Sequence, residues 1–220
     1  YQNNYSEKVL LSNYLPMYFY KPKITFSLEK EEMLSKNIYF CPQSLFKMHP
    51  SFDEAIKKII HKDKKAQIFF IKDRNEILSK MFIKRLKKTM LTNIDRINFI
   101  DRLTPEEFIH YCGRVSVLLD PFWFGAGNSF HESMLYGTPT VTMPNKYLKS
   151  RVVTAAYKQM QINDAPVFNN IDDYVDKCVE LANQNNLDLK MYYKEQAEKH
   201  LYEKKNVIED LENIFKSILK

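Results

Sequence analysis

Val117-Leu-Leu-Asp-Pro-Phe-Trp-Phe-Gly-Ala-Gly-Asn-Ser-Phe-His-Glu-Ser-Met-Leu-Tyr-Gly-Thr-Pro139 holds three of the four glycines in the 220 residues of this chain. At the usual frequency of about 7%, roughly fifteen would be expected. Most turns here are therefore built without glycine. The stretch opens on an apolar run, breaks at Asp120-Pro121, spends two glycines on Gly125-x-Gly127, and then takes up a helix-like pattern. Strand, bare loop and helix in that order are a βα unit of a parallel sheet. Bare backbone ahead of a helix lets a ligand come close, most often a phosphate at the helix N-terminus.

Outward from this stretch the same alternation repeats. Short apolar runs at 38–41, 67–71, 97–100, 115–119 and 140–143 predict strands, with a short sixth near Val167. Helical periodicity fills the gaps at 52–60, 76–90, 105–112, 129–136 and 148–160. Thr104-Pro105-Glu106-Glu107 is a capping-box signature for the third of these helices. The fold class expected is α/β, a doubly wound Rossmann-like parallel sheet, over residues 36–170. Residues 171–220 are helical throughout, at 171–182, 189–201 and 207–219, and are expected to pack on that domain. Residues 1–35, rich in Tyr, Phe and Pro without a clear period, are expected to wrap a surface or form an interdomain segment.

Composition excludes several classes. The apolar runs fall far short of the roughly 18 residues of a membrane span, and no signal-peptide pattern opens the chain. Cys41, Cys112 and Cys178 are odd in number and far apart, against a disulfide framework or a cysteine zinc site, and point to a reducing, cytoplasmic setting. The net charge of +6 rests on lysine-rich helical faces without a nucleic-acid motif, so no nucleic-acid partner is expected. The abrupt start at Tyr1 suggests a piece of a longer protein.

In open α/β sheets ligands sit beyond the carboxyl ends of the strands. Residues 42–47, 101–104 and 120–129 fall there. The backbone amides of Gly127, Asn128 and Ser129 can cradle a pyrophosphate at a helix start. Glu132, one turn on, can accept two vicinal ribose hydroxyls. Lys47 can neutralise a diphosphate whose charge grows as a bond to it breaks. Each residue also has a plainer reading: surface lysine, helix-dipole carboxylate, and, for Gly137-Thr138-Pro139, a helix end before a strand. Trp123 and Phe124 are either pocket lining or a packing plug, Arg151 either a phosphate contact or a structural salt bridge, and Asp120 a candidate for orienting the loop. Of the five histidines none is spaced as a catalytic pair. His131, beside Glu132, is more simply read as packing.

Tyr5-Ser6-Glu7-Lys8, the block from Cys41 to Lys47, Leu103-Thr104-Pro105-Glu106-Glu107, Leu119-Asp120-Pro121-Phe122 with the Gly125-x-Gly127-Asn128-Ser129 loop, and the block from Tyr136 to Pro144 followed by Ser150-Arg151-Val152 keep an order and spacing. Together they resemble the C-terminal part of the O-linked N-acetylglucosamine transferase and SPINDLY family. The resemblance implies a GT-B glycosyltransferase, of which this chain is the donor-binding domain. It implies an inverting, metal-independent protein O-glycosyltransferase that uses no cofactor and moves N-acetylglucosamine from UDP-GlcNAc to Ser or Thr. Carried over by motif, Lys47 meets the donor diphosphate as the catalytic electrostatic residue and Ser44 is a polar contact beside it. Leu103 and Thr104 meet the base through their backbone, with Phe108 stacking on it. Gly125, Gly127, Asn128 and Ser129 form the phosphate loop and Glu132 is the ribose ligand.

The departures are specific. A His and two Thr of the animal enzymes are replaced by Gly127-Asn128-Ser129, the ribose-binding Asp by Glu132, and a His beside the base by Phe108. UDP-glucose or GDP-fucose as donor, transfer to another acceptor, an epimerase, and a non-catalytic nucleotide- or protein-binding module are the alternatives. The partners implied are the nucleotide-sugar, an acceptor protein or peptide, and an N-terminal GT-B domain of the same full-length protein, which supplies the acceptor site and often the base.

Overall fold

The computed structural model describes residues 2–23, 37–90 and 92–219. Its strands are β1 (Ile38–Cys41), β2 (Gln67–Ile71), β3 (Ile97–Ile100), β4 (Val117–Leu119) and β5 (Thr140–Val141). They form one parallel sheet in the order β3-β2-β1-β4-β5, with Tyr39 opposite Ile68 on one side and Val117 on the other. The helices are α1 (Pro50–Lys62), α2 (Glu76–Met90), α3 (Pro105–Arg114), α4 (Asn128–Ser133), α5 (Val152–Gln159), α6 (Ile171–Asn183), α7 (Leu187–His200) and α8 (Lys205–Ile218).

The near-continuous apolar strands are explained by burial on both faces. With period two, Tyr39, Cys41, Ile68, Phe70, Val117 and Leu119 join one core with α1, α2 and α6. Ile38, Phe40 and Leu118 point the other way, into a second core with Cys112 of α3. Each fully buried Phe or Ile contributes about 1.5–3 kcal/mol. A third cluster joins Phe130 of α4, Tyr157 of α5 and Tyr193 of α7, with Leu15 and Phe19 laid against it. The three cysteines are buried and free. Among the described residues no helix is long and apolar enough to cross a membrane.

Local chemistry sets the helix starts. Thr104 Oγ1 accepts from the Glu107 amide at 3.3 Å while the Glu107 carboxylate accepts from the Thr104 amide at 2.7 Å, so both halves of the capping box form. Some expectations are revised. The strand read at 115–119 begins at Val117, and the sixth strand is a single bridge between Thr142 and Val167. The helix read at 129–136 is the shorter α4, because the chain turns through Met134 to Gly137, where φ is +67°. The helix read at 148–160 is a 3-10 turn, Leu148–Ser150, followed by α5. Of residues 1–35, Tyr1 and 24–35 lie outside the described residues.

Candidate functional site

Strand order runs outward from β1 in both directions, so the crevice between the carboxyl ends of β1 and β4 is the topological switch point at which open α/β sheets bind ligands. A cavity of about 1100 Å³ opens there. Ser44 and Lys47 after β1, Leu103 and Phe108 around the start of α3, and Gly125, Gly127, Asn128, Ser129 and Glu132 after β4 all line it. Thr104 does not. Its side chain and amide are spent on the capping box and its carbonyl accepts from the Phe108 amide at 2.9 Å.

Lys47 enters from a 3-10 turn, Leu45–Lys47, that directs it across the crevice. Its Nζ donates to Gln43 Oε1 at 2.8 Å and to the Gly125 carbonyl at 3.0 Å. Gln43 Nε2 in turn donates to Ser129 Oγ at 2.7 Å, tying the end of β1 to the start of α4. Both oxygens that Lys47 meets are neutral. Partial burial lowers its pKa, with the Asp120 carboxylate opposing the shift. An anion entering the cavity would favour the charged ammonium that the loss of hydration disfavours.

Asp120 orients the loop between β4 and α4. It is buried, accepts from the Ala126 amide and from Thr142 Oγ1, each at 2.7 Å, and burial pushes its carboxyl up to about 6. A Cβ on Gly125 would come within 2.7 Å of that carboxylate, whereas one on Gly127 would meet nothing within 4 Å. Gly125 is thus explained by Asp120, while Gly127 leaves an open edge on the cavity. At the first turn of α4 the amides of Asn128 and Ser129 have no acceptor within the helix. Glu132 is half-buried, its carboxylate makes no hydrogen bond or ion pair with another described residue, and burial raises its pKa. The lining carries five cationic side chains, Lys47, Lys72, Arg74, Arg102 and Lys149, against two acids, Asp73 and Glu132, so the cavity suits an anionic ligand.

Other candidates fall away from the cavity. Trp123 stays exposed, packing on His49 at 5.0 Å and donating its indole N–H to Ser51 Oγ. Arg151 donates to the carbonyls of Asn145 and Lys146. His131 is buried, stacks on Phe19 at 4.7 Å, and burial lowers its pKa, which makes it a packing residue. Gln43 and Lys149 were missed by sequence reasoning. Gln43 sat inside a quoted block, and Lys149 lies in the gap between two of them.

No family model and no curated protein matches the sequence. Solved structures do match. A mutant of the Thermobaculum terrenum O-GlcNAc transferase aligns with a TM-score of 0.76 at 14% identity over 90% of this chain and 38% of its own. The chain shares its fold with a part of that structure. A mutant of S. aureus TarM, solved with fondaparinux, α-GlcNAc-glycerol and UDP, aligns with a TM-score of 0.61 at 15% identity over 97% of this chain and 41% of its own. A UDP-forming α,α-trehalose-phosphate synthase from Burkholderia xenovorans aligns with a TM-score of 0.53 at 11% identity over 77% and 41%. These likenesses establish a Rossmann-like α/β domain of the GT-B kind. The chain spans about two fifths of the length of the structures it matches.

Proposed function

We propose that this chain is the donor-binding domain of an inverting, metal-independent O-glycosyltransferase that takes N-acetylglucosamine from UDP-GlcNAc to a Ser or Thr hydroxyl. The observation that carries the reading is the convergence on one switch-point cavity of Lys47, held between neutral oxygens, the open edge at Gly127, and the unpaired carboxylate of Glu132. In that site the diphosphate lies against the first-turn amides of α4 with Lys47 beside it, and Glu132 accepts from the ribose hydroxyls. Transfer breaks the bond from the anomeric carbon to the diphosphate oxygen, and the electron pair leaves with the diphosphate. Lys47 stabilises the charge that develops there, which is worth more in a partly dry cavity than in water. The new bond forms from the acceptor oxygen on the opposite face of the sugar. The acceptor and the base that takes its proton are supplied by a partner domain.

Calorimetric titration with UDP, UDP-GlcNAc, GDP and GDP-fucose tests the reading. Saturable binding of the uridine nucleotides is expected, weakened about tenfold or more in Lys47→Ala, since hydrogen bonds to charged groups contribute about 1.5–3 kcal/mol. Tighter binding of GDP than of UDP would move the donor to a guanosine sugar. Absence of saturable binding by any nucleotide at millimolar concentration would overturn the assignment.

A further inference from the structure

Phe124 is flanked by two lysines. Lys47 Nζ lies 4.4 Å from its ring centroid and Lys149 Nζ 5.3 Å from it, so the two ammoniums can be no farther apart than those distances laid end to end. All three side chains line the switch-point cavity. The backbone fixes the arrangement through a single residue. The Gly125 amide donates to the Lys149 carbonyl at 3.0 Å, while the Gly125 carbonyl accepts from Lys47 at 3.0 Å. The turn that carries Lys149 is itself pinned, because Ser150 Oγ meets Asn145 Oδ1 at 2.9 Å and the Tyr147 carbonyl at 2.8 Å.

Among the described residues neither lysine has an ion pair. Lys47 meets two neutral oxygens, and Lys149 stands over the rings of Phe124 and Tyr147. A ring face attracts an ammonium but leaves its charge in place. Two like charges within about a Debye length of each other repel, and a bound dianion converts that repulsion into attraction. A monophosphate can be served by one ammonium. A diphosphate offers two charged groups, which a pair set on one ring can divide between them.

We propose that Lys149 is a second cationic contact for the diphosphate of the bound nucleotide-sugar, held on Phe124 beside Lys47. The inference rests on the donor-site reading above and adds to it a residue from the loop after β5, so that the diphosphate is met by side chains from the loops after β1 and β5 together.

The test is a titration of uridine, UMP and UDP into the wild-type chain, Lys149→Ala, Lys149→Arg and Phe124→Leu. Lys149→Ala is expected to weaken UDP about tenfold, UMP less, and uridine not at all, as loss of one charge-assisted contact to the outer phosphate requires. Lys149→Arg keeps the charge and should restore most of the UDP affinity, which a purely structural role for the lysine would not predict. Phe124→Leu, which removes the ring face and keeps apolar bulk, should lower UDP affinity a few-fold. If the wild type binds UDP and Lys149→Ala binds it equally well, the role of Lys149 is refuted while the donor site stands. If the wild type binds none of the three, both fall.

Discussion

Three glycines of one stretch have three different surroundings, a buried carboxylate at Gly125, open space at Gly127 and the backbone of α7 at Gly137, and substituting alanine at each separates them. At Gly137 a Cβ would run into the Lys190 carbonyl and lie 2.7 Å from the Lys194 amide, on a backbone already at φ +67°. Gly137→Ala must push α7 off the turn after α4, and should cost at least about 3 kcal/mol. Gly125→Ala presses on the buried Asp120 carboxylate and should also destabilise, though less, because the loop between β4 and α4 can shift. Gly127→Ala has room, so its stability should stay within about 1 kcal/mol of wild type, while UDP affinity falls because the methyl occupies the cavity edge. Thermal denaturation with and without UDP reads all three. Equal stability losses at Gly125 and Gly127 would contradict the assignment of separate reasons. In the sequence the pair Gly125-x-Gly127 reads as one ligand-approach device. The Asp120 contact at Gly125 depends on how the chain folds back, and no local pattern announces it.

At the scale of elements, the loop from β4 to α4 hangs on Asp120, which joins it to Thr142 at the end of β5. Its carboxyl is raised from the ordinary value of 3.8 to about 6, chiefly by burial, against the lowering effects of its two hydrogen bonds and of Lys47. The native state therefore binds this proton more tightly than the unfolded chain. The stabilising contribution is complete below about 4 and is lost as pH rises through about 6, with a span on the order of 3 kcal/mol. Asp120→Asn, which cannot titrate, should remove this slope. Relative to wild type the variant should gain melting temperature between pH 4.5 and 7.5, and parallel curves for the two proteins would refute the assignment. Most elements were legible in the sequence because strands covered on both faces read as short apolar runs and helices covered on one face read as periodic segments. β1, β2, β3 and α2 begin and end where those apolar runs and that helical spacing place them. Among the elements that differ from that reading are α4, ended by the turn that brings Gly137 to α7, and the strand near Val167, reduced to one bridge. Lys149 was invisible because its relation to Phe124 exists only once the loops after β4 and β5 meet.

At the scale of the whole molecule, a segment from the start of the chain is laid over the last helices and reaches the back of the site. Asp210 of α8 accepts from Ser12 Oγ at 2.6 Å and from the Asn13 amide at 2.9 Å, the Leu15 amide donates to Gln159 Oε1 at 3.0 Å, and Lys21 pairs with Glu198 at 2.6 Å. Phe19 stacks on His131, whose carbonyl accepts from Tyr202 Oη at 2.6 Å, and His131 adjoins Glu132. The outer ties are exposed or only partly buried and worth little, whereas the Phe19 contact removes apolar surface from water beside the helix that carries Glu132. The two ends of the segment should therefore respond differently. Asp210→Ala should speed proteolysis near residues 9–14 and leave the melting temperature and UDP affinity close to wild type. Phe19→Ala should lower stability by about 1–2 kcal/mol and weaken UDP several-fold, because His131 loses the surface that fixes α4 and with it the Glu132 carboxylate. Limited proteolysis, thermal denaturation and UDP titration on both variants decide the matter. If Phe19→Ala leaves UDP affinity untouched, the covering segment holds the fold together without setting the geometry of the site.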